Sequence, residues 1–438
     1  MSARRPSVLF LAPEPLGPSL TGPARRAVKL AEVVAERCDV TVAAASPSAF
    51  PPGPFRMLET GPAGDQDLAA AFAGHDVVVT QTLPSPRQLL VALRHAQRLV
   101  VDLIAPFALE VREIGDEAAM RWRTREMVAH LAAADLVLCS NDHQRDLALG
   151  VGLAAGLLAA GTAPAPLDER LRVVPHGLDG VEQPRGRSSL RTGELAGDGL
   201  RIAMWAGGMW SWLDPLTAIR AVERLRPSRP DLRLVFVGFE HPDPVQRAAH
   251  KAVASAARAY VEERGLGDAV VFRPRWLGRD EYLDHIADAD VGLTLHAETL
   301  EGRFASRTRV LDYLDARVPV LAARGDAMSE FVERHGLGRV VAPGDAADCA
   351  AALDALTAGP ERIRIDDAAL APLLWRNVAR PLSDFCADPP PASPRSRVAA
   401  LGLVAREYPA FVGAVRQSHD GLLRTALRRV ASRAGRRA

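Results

Sequence analysis

Short apolar runs alternate with longer amphipathic stretches along the first half of the chain. Val8–Leu11, Val40–Ala43, Val77–Val79, Leu99–Leu103 and Leu136–Cys139 have strand length and favour β-branched residues. Helix-length segments such as Ala24–Cys38 and Arg87–His95 separate them. Continuous apolar runs bounded by turn residues and spaced by helices predict a parallel sheet covered on both faces. The pattern fades in a polar Gly/Arg/Ser stretch after Asp179 and then restarts. Arg201–Trp205, Arg233–Gly238, Val270–Phe272, Val291–Leu295, Val318–Ala322 and Arg339–Val341 read as strands. Pro215–Leu225, Pro244–Arg264, Arg279–Ala287, Arg307–Ala316 and Ala346–Leu356 read as helices between them.

The expectation is an α/β chain of two doubly wound, Rossmann-like domains, over residues 1–180 and 200–387, joined by a linker at 181–199. Ligands of open parallel sheets sit beyond the carboxyl ends of the strands, so a cleft between two such domains is the expected active site. Residues 388–438 form a Pro-rich connector and a basic tail. From Arg395 onward ten arginines face two acids, a net of +8 that leaves about −7 on the rest. Leu423, Leu427 and Val430 fall on one helical face there, which suits either a weak contact with an anionic membrane surface or packing back on the body.

The 438 residues are 48% hydrophobic and 24% charged, with a formal net charge of +1. Disordered and collagen-like classes are excluded, and no basic excess marks a nucleic-acid binder. Cys38, Cys139, Cys349 and Cys386 show no CxxC spacing, so no zinc ribbon or disulfide framework is written, and a cytoplasmic location is expected. Arginine displaces lysine almost entirely, as in GC-rich coding sequences such as those of actinomycetes.

Candidate chemistry concentrates in His296–Val320. Glu301 follows a strand end, Arg307 and Arg309 open a helix, Asp312 lies one turn further, and Pro319-Val320 opens the next strand. A helix start bearing two arginines offers N–H groups and guanidinium forks to phosphate. Asp312 can accept hydrogen bonds from vicinal sugar hydroxyls, so the pair of functions fits a nucleotide. Asp288-Ala-Asp290 has the DxD spacing of metal-dependent transferases, but its helix-to-strand position favours capping, and no metal site is expected.

The segment resembles the donor-binding motif of GT-B glycosyltransferases, specifically the retaining family 4 group, in which an E-x7-E acid pair precedes Gly-x-Pro-Val. Counting from Pro319 puts the ribose acid at Asp312 and the first acid at Phe304, with Glu301 the nearest carboxylate. Arg307–Tyr313 matches an Arg-Thr-Arg-hydrophobic-Leu-Asp-Tyr branch of that family. Thr21-Gly22 resembles its glycine loop, and Val100-Val-Asp102 through Glu110 its acceptor-side segment. Ala134–Ser140, Val174–Asp179 and Trp205-Ala-Gly207-Gly208 follow in order, so the resemblance spans about residues 7–357.

The resemblance implies a glycosyltransferase acting on a nucleotide-diphosphate sugar and a small-molecule or glycan acceptor, retaining and without an essential metal or other cofactor. It implies phosphate contacts from Gly22, Gly207 and Gly208 and catalytic charge neutralisation by Arg307 and Arg309, with Glu301 near the transferring sugar. The family's Arg and Lys after the glycine pair are replaced by Met209–Asp214, which holds no cation. Trp212 is placed to cover the sugar or base, Trp276 to stack on the base and His296 to touch the donor sugar, each with core packing as the alternative. Asp102 is placed to orient or deprotonate an acceptor, with a structural hydrogen bond as the alternative. A sugar-nucleotide epimerase and a non-catalytic sugar-nucleotide-binding partner stay open. A phosphorylase is disfavoured because neither Lys29 nor Lys251 suits a Schiff base, and a dinucleotide dehydrogenase because no GxGxxG follows a strand.

Overall fold

The computed structural model describes residues 4–17, 20–44, 50, 53–60, 65–81, 86–158, 165–180, 190–197, 199–240, 244–359, 363, 365–391 and 402. Most of the expected linker, His241 and nearly all of the basic tail lie outside the described residues. The chain divides into two compact units, 1–111 with 116–175 and 375–438, and 112–115 with 176–374.

The first unit holds a seven-stranded parallel sheet in the order β3-β2-β1-β4-β5-β6-β7. Its strands are β1 Ser7–Leu11, β2 Asp39–Ala44, β3 Arg56–Glu59, β4 Val77–Thr80, β5 Leu99–Leu103, β6 Leu136–Cys139 and β7 Leu171–Val173. Successive residues face opposite ways. Val8, Phe10, Val77, Val79 and Val100 therefore join one apolar layer, and Leu9, Val78 and Val101 the other. The Gly22–Ala35 helix starts where the Thr21 side chain accepts from the Ala24 N–H, and Asn141 caps Asp142–Ala154 in the same way.

The second unit holds a six-stranded parallel sheet, ordered β10-β9-β8-β11-β12-β13. These are β8 Arg201–Ala206, β9 Leu232–Val237, β10 Val270–Arg273, β11 Val291–Thr294, β12 Val320–Ala323 and β13 Gly338–Val341. The chain runs outward from β8 to β10 and then returns to pair β11 against β8, making that junction the topological switch point. Only two residue pairs join β8 to β11. Buried Tyr313 sits over the junction. Its hydroxyl donates between Met204 O and Leu293 O, each 3.0 Å away, and accepts from Ala206 N at 2.9 Å. Gly292 makes room for the ring, because a Cβ there would lie 2.3 Å from it.

The six strands expected in this unit are all present, each shifted by two residues or fewer. The Arg307–Ala316 helix is shorter than expected: it runs Arg309–Asp315, so Arg307 precedes it. It ends in a Schellman motif, with Arg317 N–H on Leu314 O and Val318 N–H on Tyr313 O. Arg317 takes φ +57° there, the left-handed conformation that a glycine adopts freely. Trp375–Val378 and Arg380–Ala387, assigned from the sequence to the second domain, belong instead to the first unit. Trp375, Val378, Leu382 and Cys386 join the apolar layer of the Gly22–Ala35 helix. The polar stretch from Gly180 gave a false boundary, since Leu178, Leu190 and Leu195 are core residues of the second unit.

Candidate functional site

The site assembles at the switch point of the second unit. After β8 the backbone turns at Gly207, whose φ of +85° a side-chain-bearing residue would strain to adopt. The following loop returns to the end of β11: Asp214 N–H donates to Leu295 O, and Ala297 N–H to Trp212 O. Asp214 then caps the Pro215–Leu225 helix through the Thr217 N–H.

Arg309 lies at the centre. Its Nη2 donates to Gly208 O at 2.7 Å, and its guanidinium carbon stands 4.9 Å over the Trp205 ring. Nη1 is closed to solvent with no hydrogen-bond partner. Burial pulls the guanidinium pKa down, against opposing pulls from Tyr313 and Tyr282, and Arg307 adds to the depression. No carboxylate pairs with it among the described residues. The charge of Asp312 reaches it only through space, without a hydrogen bond.

Arg307 is the opposite case. Its two terminal nitrogens grip Glu301 at 3.1 and 2.6 Å, and both side chains are more than nine-tenths buried. The two residues expected to act on donor phosphates and sugar thus neutralise each other, and only Arg307 Nε is left without an acceptor. Glu301 stands on a short Leu300–Phe304 helix capped by Thr299, which the sequence reading did not anticipate. Because the Arg309–Asp315 helix has only seven residues and begins after Arg307, anion affinity falls to the guanidinium groups rather than to a helix dipole.

Asp312 is already engaged. Arg279 Nη1 donates to its Oδ1 at 2.7 Å, and the Tyr282 hydroxyl to Oδ2 at 3.3 Å. Neither partner was anticipated. The signal was an Arg-x-x-Tyr spacing at the start of the Arg279–Ala287 helix, which puts both side chains on one face. Arg279 Nε and Nη2, like Arg309 Nη1, are closed to solvent without acceptors.

His296 is buried between Gly302 and Gly325. Its Nδ1 lies 2.9 Å from Ala297 O and its Nε2 3.2 Å from Asp326 Oδ2. Asp326 also caps the Ala327–Arg334 helix through the Met328 and Ser329 N–H groups. Trp212 is 8% exposed, stacked 5.1 Å from Trp210 and part of the core, so its expected ligand contact gives way to packing. Trp276 is half-buried just after β10. Asp290 accepts from Ile202 N and pairs with Arg201, so it ties strands together.

In the first unit, Gly22 is the exposed first residue of its helix. Asp102 ends up far from the role of a base. Arg26 Nε and Nη2 hold both of its oxygens at 2.7 and 2.8 Å, and neither side chain is more than 1% exposed. Arg26 also donates to Val174 O and Pro175 O. The carboxylate thus locks the strand end, the glycine-loop helix and the end of the β7 segment together, and its oxygens are unavailable for proton abstraction.

Residues 201–358 match the family model described as glycosyl transferases group 1. No curated protein matches the sequence. Among solved structures, the chain is similar to HepE from Anabaena in complex with UDP and glucose, with TM-score 0.56 and 15% identity over 94% of this chain and 100% of that one. It is similar to a UDP-forming α,α-trehalose-phosphate synthase from Burkholderia vietnamiensis, with TM-score 0.66 and 12% identity over 90% and 99% of the two chains. Sucrose-phosphate synthase from Thermosynechococcus elongatus gives TM-score 0.57 and 17% identity over 93% and 100%. At these identities the structural likeness establishes the fold alone: two Rossmann-like units with the elements of the GT-B fold.

Proposed function

We propose that this chain transfers a sugar from a nucleotide-diphosphate sugar to a small-molecule or glycan acceptor, with retention of anomeric configuration and without an essential metal. The observation that carries the reading is Arg309. A guanidinium held at the switch point by one carbonyl and one indole, with a desolvated N–H and no ion-pair partner among the described residues, is destabilising by itself. Such a group persists where an anion arrives to complete it. The glycine pair beside it lets a diphosphate approach the backbone, and Asp312 stands near enough to share one nucleotide with it. Arg309 thereby replaces the cations missing from Met209–Asp214.

In this reading charge accumulates on the departing diphosphate as the glycosidic bond breaks. Arg309, fixed before the reaction begins, stabilises that charge without reorganising. The leaving phosphate oxygen takes the acceptor proton, consistent with Asp102 being occupied by Arg26. Acceptor contacts would fall to the first unit, including the Gly22 loop. The arginine-for-lysine composition is in keeping with natural-product or cell-envelope biosynthesis.

One observation favours a second reading, a non-catalytic sugar-nucleotide binder: Glu301 and Arg307 neutralise each other beside the donor site. Turnover separates the two. The protein is incubated with the α-glucose diphosphate of each base and a panel of sugar and small-molecule acceptors, and the anomeric configuration of the glycoside formed is read by proton NMR. Formation of an α-configured product supports retaining transfer. A β product refutes retention, and binding without any turnover supports the non-catalytic reading.

A further inference from the structure

The first sheet has a switch point of its own. The chain runs outward from β1 to β3 and then returns to lay β4 against the other side of β1. Leu11 is in register with Thr80, so Ala12 and Gln81 leave the carboxyl edge of the sheet side by side. Ligands of open parallel sheets gather in such a crevice.

Two side chains there are short of donors. Gln81 is 4% exposed, and its Nε2 donates to Pro23 O at 2.9 Å in the first turn of the Gly22–Ala35 helix. That bond fixes the amide, because turning it over would set Oε1 against the Pro23 carbonyl. Oε1 is left closed to solvent, with no hydrogen-bond partner among the described residues. A buried acceptor without a donor is unfavourable. Glu14, half-buried in the loop from β1 to the same helix, accepts the Thr21 hydroxyl on Oε2. One hydrogen bond leaves most of a carboxylate's acceptor capacity unused.

An anion finds little at this helix start. Pro23 has no N–H, the Ala24 N–H is taken by Thr21, and Arg25 is engaged in interactions of its own. A phosphate or carboxylate would also set oxygen against the oxygens of Gln81 and Glu14. Hydroxyl groups have the donors that both side chains lack.

We propose that Gln81 and Glu14 form the hydroxyl-recognising subsite for the acceptor, one acceptor hydroxyl donating to Gln81 Oε1 and another to the Glu14 carboxylate. The acceptor class is then an uncharged sugar or polyol. Oε1 is covered in the empty chain, so the acceptor displaces that cover as it binds. Both residues determine specificity, and neither handles the transferred proton. The inference rests on the transfer reading above and specifies its acceptor.

The test is titration of the full chain with methyl α-glucoside and with myo-inositol, followed by saturation-transfer NMR in the presence of UDP, GDP, ADP or dTDP in turn. Wild type, Gln81→Met, Glu14→Ala and Glu14→Gln are compared, each checked for its thermal transition. Gln81→Met is expected to weaken the probe that binds about 3- to 10-fold, the range for a neutral hydrogen bond. Glu14→Ala should weaken it about 10- to 100-fold, as for a bond to a charged group, and Glu14→Gln, which keeps an acceptor oxygen, by less. Nucleotide affinity should hold in all three variants. Inorganic phosphate should not displace the probe. Equal probe affinity in all four proteins overturns the proposal, and so does displacement by phosphate. Should Gln81→Met fail to fold, Glu14→Ala decides alone. A nucleotide that binds while neither probe does overturns the subsite and spares the donor site. If neither probes nor nucleotides bind, the transfer reading itself fails, a separate result.

Discussion

Asp102→Asn separates a structural carboxylate from a catalytic one. The native pair is bidentate, with N···O distances of 2.7 and 2.8 Å and both side chains all but excluded from solvent. Removing one charge of such a pair strands the other, which is destabilising by about 3–5 kcal/mol. Arg26 also anchors Val174 O and Pro175 O, so its displacement would release the end of the β7 segment. In a domain of this size each kcal/mol lowers the transition by about 2–4 °C, so a fall of about 6–20 °C is expected in scanning calorimetry. Asp102→Leu with Arg26→Met, which removes both charges, should recover much of the loss. A variant Asp102→Asn that keeps its transition temperature and its donor affinity but loses turnover would refute the structural assignment and restore Asp102 as a base.

Other consequences are independent of that pair. Arg309→Met should weaken diphosphate binding about tenfold or more, yet leave the thermal transition unchanged or raised, because a desolvated cation is replaced by an apolar chain; a large drop in transition temperature would contradict this. Arg317→Gly should stabilise by up to about 0.5 kcal/mol, since relief of a left-handed φ at a Schellman position outweighs the loss of a part-buried Nη1 bond to Leu314 O at 3.0 Å and an exposed contact with Asp367, readable as a higher urea midpoint. Burial, reinforced by nearby Arg123, lowers the pKa of His130 to about 4. The unfolded chain therefore takes up that proton first, and stability contributed by neutral His130 is present above about pH 6.5 and lost as pH falls toward 4, by about 3 kcal/mol at most. Urea midpoints measured across that range should fall in the wild type and fall less in His130→Gln.

How much of this was legible in the sequence depends on where chemistry and pattern coincide. Strands buried on both faces, such as Val77–Thr80 and Val291–Thr294, announce themselves as β-branched runs. Strand β3, Arg56–Glu59, is largely exposed at the sheet edge and gives no such run. The Glu117–Ala133 helix buries Glu126 and His130 and shows an unclean apolar face, so it too escaped the reading. The return of Trp375–Ala387 to the first unit is a tertiary choice, invisible because the helices look the same wherever they pack.

At the site, residue types were readable but their pairing was not. Asp312, Arg307, Arg309 and Glu301 were found by spacing. That Glu301 would satisfy Arg307 and leave Arg309 alone depends on a short helix whose signal is one threonine cap. Arg279 and Tyr282 come from a helix more than twenty residues earlier, and only the fold brings them to Asp312. Among the described residues no helix is long and apolar enough to cross a membrane.

The central claim is that the second unit holds a nucleotide diphosphate between Arg309 and Asp312. Calorimetric titration of the wild type and of Asp312→Ala with UDP, GDP, ADP and dTDP tests it most directly. Micromolar binding of one of the four, lost in the variant, is the predicted result and names the base. Binding to none of them, or binding that Asp312→Ala leaves untouched, would contradict the account at its strongest point.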